Sequence, residues 1–352
     1  MRLDKDFWRG RRVLLTGHTG FKGSWLAIYL HQLGAKVTGI ALAPETQPSL
    51  FVAAGVEKIL AHHVCDIREQ HKLTSLIHTA QPEIVFHLAA QALVRKSYKL
   101  PVETFATNVL GTVHVLNALR GLESVKAALL VTTDKVYKNP EHGHAFSEND
   151  ELGGHDPYSA SKAASELIIA SYRDAYLSDQ GTQIASARAG NVIGGGDWSE
   201  DRLLPDAIRA WQSGQVLEIR RPEAVRPWQH VLEPVSAYLR LAQALVSQQL
   251  PGGAWNFGPS PEANATVRQV IDLARQAYGS GEIKYASQLE GEHEAALLSL
   301  NVDKARDMLG IEPRFDLNHA VTMSMQWYRA FADGAGAYQL CLNDIAAFEA
   351  VV

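Results

Sequence analysis

Short aliphatic and β-branched runs recur along the first half of the chain, separated by longer stretches whose apolar positions repeat at helical spacing. Residues 13–15 form the first run, 37–41 the second and 59–64 the third. Residues 84–88, 127–132 and 184–187 continue the series. After the first run, residues 25–33 read as an amphipathic helix. Strands apolar on both faces, alternating with helices, predict a doubly wound parallel α/β sheet covered on both sides. Beyond about Arg188 the alternation loosens, and Gly194-Gly195-Gly196, Arg221-Pro222 and Pro251-Gly252-Gly253 mark loops. Helical residues 235–249 and the run 254–258 are expected to return to the sheet. The expected division is therefore 1–187 plus about 230–258 for the sheet domain. A smaller, discontinuous α/β substrate-binding lobe takes 188–229 plus about 259–330, and 331–352 form a C-terminal helical tail.

Composition narrows the class. The chain has 352 residues, enough for a large core, and 46% hydrophobic with 20% charged residues is ordinary for a globular protein. A net charge of -5 gives no electrostatic reason to expect nucleic acid or an anionic membrane, so an anionic ligand must be met by local arginines. The charged N-terminal residues carry no apolar signal core, and no apolar run is long enough to span a bilayer. Cys65 and Cys341 cannot build a disulfide framework. A cytoplasmic protein is expected.

The first run leads into Gly17-His18-Thr19-Gly20-Phe21-Lys22-Gly23 and then a helix. Glycines in this strand–turn–helix setting let backbone approach a pyrophosphate, which the helix N-terminus meets with free N–H groups. Dinucleotide binding on a Rossmann-type sheet follows from the loop in that context. Gly17, His18, Gly20, Phe21, Lys22 and Gly23 are its candidate contacts. Asp66-Ile67 follows the third run, where the carboxylate can accept from an adenine amino group or cap the next helix. Leu88-Ala89-Ala90 follows the fourth and offers small residues for a cofactor to lie against.

Tyr158 and Lys162 stand at i and i+4 of Tyr158-Ser159-Ala160-Ser161-Lys162, on one helical face. An ammonium beside a phenol favours the phenolate, so Tyr158 can act as a base below its ordinary value of roughly 10. Thr132-Thr133 closes the fifth run and is followed by Asp134-Lys135.

Together these residues resemble the extended short-chain dehydrogenase/reductase family. The resemblance implies that Thr133 shares the substrate hydroxyl with Tyr158, and that Lys162 also binds the nicotinamide ribose. Asn108, in Asn108-Val109-Leu110-Gly111-Thr112, matches the family's structural helix motif. Four further segments, LLTGHTGFKGSWL (14–26), TTDKVY (132–137), NVIGGGDW (191–198) and RPWQHV (226–231), are similar to the 4,6-dehydratase branch that acts on CDP-D-glucose. That branch removes water from C5 and C6 after oxidation at C4, with internal hydride return, and feeds deoxysugar synthesis for lipopolysaccharide O-antigen and other surface polysaccharides. By the same resemblance Asp134 delivers a proton to O6. Lys135 departs from the carboxylate base of the wider group; it serves as the C5 base if burial and Lys162 keep it neutral, or else stays charged and stabilises the enolate. Arg226 and Asn191 are expected on the substrate pyrophosphate, with Arg188, Asp197, Trp198 and Arg220 or Arg221 as further substrate candidates. A homodimer or higher homo-oligomer is implied, with its interface on the Tyr158 and Asn108 helices.

A nucleotide-sugar 4-epimerase shares Tyr, Lys and Thr but needs no acid/base pair, and a non-catalytic NAD(H) binder has no use for an activated phenol. No metal is expected: His62-His63, His142-x-His144 and Glu292-His293-Glu294 are incomplete sets and read as loop surface. The tryptophans read as core. The second run ends Ile40-Ala41-Leu42-Ala43-Pro44 with no ribose-binding carboxylate before Glu45, so weak NAD binding is expected, and NADP stays open.

Overall fold

A computed structural model describes residues 3–140, 143–247, 250–286 and 297–351. Gln249, His142 and Glu292-His293-Glu294 lie outside the described residues. One sheet contains β1 Arg12–Thr16, β2 Lys36–Ala41, β3 Ala61–Val64, β4 Ile84–His87, β5 Ala127–Val131, β6 Gln183–Ala189 and β7 Gly253–Phe257. Their order is β7-β6-β5-β4-β1-β2-β3, and every neighbouring pair is parallel. Strands β4 and β5 are buried at every position, as a sheet covered on both faces requires. The order reverses between β1 and β4, which opens a crevice at the strands' C-terminal ends.

Helix Phe21–Gln32 is not amphipathic: Gly23 to Leu30 are buried without a break. The reason is a third layer. Helix Leu232–Val246 packs beside it on β5 and β6, and the C-terminal helix Ala337–Ala350 packs against it. The opposite face is covered by Gln70–Ala80, Gly111–Leu119 and Pro157–Tyr172. Strand β7 returns to the sheet in register with β6, Ala254 opposite Ser186. The residues between and after these returns build the second lobe. It contains helices Leu203–Gln212 and Val267–Tyr278 and the parallel pair Val216–Ile219 with Glu282–Tyr285.

The last residues are not a free tail. Helix Leu317–Ala332 packs on Val267–Tyr278, and the Tyr29 hydroxyl donates to Glu349 at 3.0 Å. Arg314 donates to the Phe348 carbonyl at 2.7 Å, and Cys341 and Phe348 are buried. All seven tryptophans are buried. His62 and His63 lie in β3 rather than in a loop.

One carboxylate is badly placed in this terminal layer. Asp344 has a sealed Oδ2 with no hydrogen-bond partner among the described residues, and burial pushes its acid from 3.8 up to about 7. The folded protein therefore holds this proton more tightly than the unfolded chain, and stability falls as pH rises from about 4 to 7. Asp344→Asn is expected to raise stability at pH 8 by on the order of 2–4 kcal/mol. Denaturant melts of both proteins should show the gap narrowing as pH falls towards 4, and a constant gap would rule out the carboxylate as its cause.

Candidate active site

The crevice is a cleft of about 1030 Å³ between the sheet's C-terminal edge and the second lobe. Its floor is the glycine loop. Gly17 has a φ of 77°, and a Cβ there would sit 2.6 Å from the Ala89 nitrogen. A Cβ on Gly23 would lie 2.1 Å from the Gly17 carbonyl oxygen, so both positions require glycine. Gly20 caps helix Phe21–Gln32 without a side chain or an acid in the first turn. That leaves N–H groups for a pyrophosphate, and the loop fits a dinucleotide. Gly17, Gly20, Phe21, Lys22, Gly23, Asp66, Ile67, Leu88, Ala89 and Ala90 all line the cleft.

His18 does not. Its ring turns beneath the loop against β2 and β3, bonding His62 across 2.7 Å and packing on Phe51. A Cβ on Gly39 would meet this ring at 2.6 Å, so the glycine in β2 makes room for it. Burial and the neighbouring His62 and His63 drive His18 down to about 3. It is a neutral packing group rather than a phosphate ligand. Lys22 does face the cleft, with its ammonium over the Tyr238 ring and 3.4 Å from the Tyr238 hydroxyl. Burial, then Arg202 and Lys162, lower it to about 8. Asp66 is held by Arg68 through contacts of 2.6–3.0 Å, and hydrogen bonds from Arg68 keep its carboxyl below the usual range.

At the ribose end, the first acid after β2, Glu45, lies 3.4 Å from Lys96. Loss of one charged hydrogen bond to the ribose weakens binding about ten- to a hundredfold. Protein purified by dialysis is therefore expected to lose its dinucleotide and to gain activity on added NAD+. Equilibrium titration of the cofactor-free protein with NAD+ and NADP+ checks this, and tight stoichiometric retention would show that other contacts replace the carboxylate.

The candidate catalytic wall is one helix and one turn. Asp156 caps helix Pro157–Tyr172, accepting from the Ser159 nitrogen and hydroxyl at 2.9 and 2.5 Å, with Pro157 at the first position. Asn108 clamps the loop after β4 to this helix, donating to Gln91 and to Ser161 at 3.0 and 2.8 Å. Tyr158 is buried; burial raises its phenol above 10, opposed by its hydrogen bond with Thr133 and by the charge of Arg202. Lys162 donates to the Val131 carbonyl at 3.0 Å, and burial lowers it to about 8 against the pull of Glu166. The short turn Asp134–Val136 stands opposite. Thr133 donates to Asp134 Oδ1 at 3.0 Å, and Lys135 lies 3.6 Å from the same oxygen. Asp134 Oδ2 is buried with no hydrogen-bond partner among the described residues, and Gly190 leaves it room. Lys135 is part-buried, 28% exposed, and lines the cleft beside Asp134.

The substrate candidates divide. Asn191, Asp197, Arg220 and Arg226 line the cleft, and Arg226 is buried while Arg220 is half-exposed. Arg188 is not in the cleft. Its guanidinium is spent on buried Glu166 at 2.8 Å and on the Tyr137 hydroxyl. Trp198 borders the cleft, but its ring packs among Trp327, Tyr328 and Phe331. Arg202, Arg95, Asp201 and Arg209 also line the cleft and were not singled out from the sequence. Asp201 takes Arg95 at 2.7 Å and approaches Arg220 at 3.7 Å, joining the two sides of the mouth. No local pattern marks these contacts; an arginine-rich cleft facing an anionic ligand is the only signal.

Residues 13–258 match the NAD dependent epimerase/dehydratase family. The chain belongs to that family. Relatives span nearly the whole chain. A CDP-glucose 4,6-dehydratase of Salmonella typhimurium is 44% identical over 94% of this chain and 94% of its own. A dTDP-glucose 4,6-dehydratase of Streptomyces antibioticus is 30% identical over 90% and 92%. Among solved structures, a Thermus thermophilus UDP-glucose 4-epimerase in complex with NAD is 26% identical with a TM-score of 0.78, covering 90% of this chain and 99% of that one. A Bacillus anthracis dTDP-glucose 4,6-dehydratase, also with NAD, shares the fold at 22% identity and a TM-score of 0.76, over 92% and 98%. NAD is accordingly the dinucleotide of this epimerase/dehydratase family member.

Proposed function

We propose that the protein dehydrates CDP-D-glucose to CDP-4-dehydro-6-deoxy-D-glucose. One observation carries the choice of dehydration over epimerisation: a buried carboxylate, Asp134, beside Thr133 and Tyr158, with one oxygen unpartnered among the described residues. Epimerisation has no step that needs this acid. The cytidine nucleotide rests on the 44% identical Salmonella relative.

In this reading Tyr158, steadied by Thr133, takes the O4 proton. NAD+, when bound, supplies the hydride acceptor and later returns the hydride to C6. A ketone at C4 acidifies C5, and we assign Lys135 to that proton while Asp134 protonates the C6 hydroxyl, which leaves as water. The two transfers leave Lys135 cationic and Asp134 anionic, 3.6 Å apart; Lys135 gives a proton back to C5 as hydride reaches C6, and exchange with solvent carries the Tyr158 proton to Asp134 for the next turnover. We assign the pyrophosphate to Arg226, Arg220 and Asn191, which line the cleft, since guanidinium forks match phosphate oxygens. Deuterium at C4 of the substrate should reappear at C6, and heavy water should label C5. Stoichiometric NADH with no water lost would replace this reading by a simple dehydrogenase.

We also propose a homodimer. Val102 is 81% exposed and Leu167 64%, on neighbouring helices that also expose Phe105, Leu110 and Tyr176. Val102→Glu with Leu167→Glu is expected to halve the mass measured by light scattering, and an unchanged mass would move the interface elsewhere. No helix among the described residues is long and apolar enough to cross a membrane, and we place the enzyme in the cytoplasm, supplying deoxysugars for surface polysaccharides such as O-antigen.

A further inference from the structure

Behind the cleft, and not lining it, Glu166 and Arg188 form an ion pair at 2.8 Å, each side chain 4% exposed. Glu166 lies one turn beyond Lys162 on the helix that carries Tyr158. Its carboxylate accepts from the Thr132 hydroxyl at 2.5 Å, the Ser186 hydroxyl at 2.7 Å, and Arg188 Nε and Nη2 at 3.0 and 2.8 Å. Arg188 Nη1 donates onward to the Tyr137 hydroxyl at 2.8 Å and the Glu148 carbonyl at 3.1 Å. The Tyr137 hydroxyl in turn donates to Asn256 Oδ1, in β7, at 2.7 Å.

The positions of the two hydroxyls matter. Thr132 immediately precedes Thr133-Asp134-Lys135-Val136, and Tyr137 immediately follows it. One buried ion pair therefore grips the acid/base turn at both ends, and it stands on the catalytic helix. A buried pair contributes little net stability, but a fully satisfied buried network fixes one arrangement of the groups it touches. Here those groups are the two halves of the reaction: the helix with Tyr158 and Lys162, and the turn with Asp134 and Lys135.

We propose that Glu166 and Arg188, acting through Thr132 and Tyr137, are positioning residues that set the acid/base turn against the Tyr158 helix. Their task is to couple elimination to oxidation at C4, and the proposal rests on the dehydratase reading above. Neither side chain touches the reacting atoms.

Tyr137→Phe tests this with least disturbance, because it removes one hydroxyl and keeps the ring stacked on Phe146 at 4.8 Å. Thr132→Val is the second variant, removing the hydroxyl that Glu166 holds at 2.5 Å while leaving the Glu166 charge beside Lys162. With NAD+ and CDP-glucose, rapid mixing follows NADH formation, and mass spectrometry follows solvent deuterium at C5 and water loss. A slackened turn is expected to slow elimination about ten- to a hundredfold, as misplacement of reacting groups does, with KM and the rate of NADH formation little changed. NADH should then accumulate transiently in both variants. A purely structural role lowers the active fraction and reduces both steps in proportion. Such proportionate loss, or Tyr137→Phe with both rates unchanged, overturns the proposal while the dehydratase reading stands. If the unsubstituted protein itself makes no keto product, the dehydratase reading fails, and the proposal with it.

Discussion

Asp134→Asn should lower turnover by about 10²- to 10⁴-fold, the range for removal of a positioned general acid. The substitution keeps the side chain's shape and its acceptor for the Thr133 hydroxyl, bonded at 3.0 Å, so the turn should stay folded. It removes the proton that the proposed reaction assigns to Oδ2, which is buried with no hydrogen-bond partner among the described residues. Oxidation at C4, which the proposed reaction assigns to Tyr158, Thr133 and Lys162, should continue. The variant is therefore expected to form NADH from substrate and to exchange the C5 hydrogen with solvent, while releasing almost no water. Near-normal turnover would reduce Asp134-Lys135 to a turn pair without a chemical role.

Tyr158→Phe should cost as much, yet fail at a different step. The phenol is buried, with its backbone nitrogen donating to Ser97 Oγ at 3.1 Å and its ring anchored in the catalytic helix. Burial holds the proton on this phenol above the ordinary value of 10 in the free protein. Thr133 and Arg202 pull the other way, and Lys162 reaches the Val131 carbonyl rather than standing free beside the phenol. In the proposed reaction a bound dinucleotide would supply the positive charge that makes Tyr158 a competent base, which would tie proton removal to an occupied cofactor site. Loss of the hydroxyl should lower turnover about 10²- to 10⁴-fold and abolish NADH formation and C5 exchange together. If Tyr158→Phe still exchanges C5, the O4 proton has another acceptor. Run side by side, the two variants separate oxidation from elimination.

Much of this site is legible in the residues alone. The glycine loop is visible because Gly17 and Gly23 answer to backbone geometry, a positive φ and an approach of 2.1 Å to a carbonyl oxygen, that no other residue satisfies. Tyr158 and Lys162 are visible because i and i+4 on a helix share a face whatever the rest of the chain does. The strand–helix alternation is visible because a sheet covered on both sides needs strands that are apolar throughout, as β4 and β5 are. Each of these is a local constraint, and local constraints leave local patterns.

Tertiary structure decided the direction and partner of each long polar side chain. Arg188, in a segment full of cleft residues, lies on the same face of β6 as Ser186, and both meet a glutamate about twenty residues earlier, buried on the catalytic helix. His18 sits inside the dinucleotide loop, yet β2 and β3 offer it a pocket where Gly39 lacks a side chain. Trp198 borders the cleft, but Trp327 and Tyr328, over a hundred residues away, claim its ring. Arg202 and Asp201 carry no signal of their own, and they reach the cleft because the second lobe folds over it. The tail that composition leaves as a plain helix becomes a third layer because helix Phe21–Gln32 is apolar all round and needs a cover on its outer side. A charged group must find its partner once buried, and which partner is near depends on contacts between elements far apart in the chain.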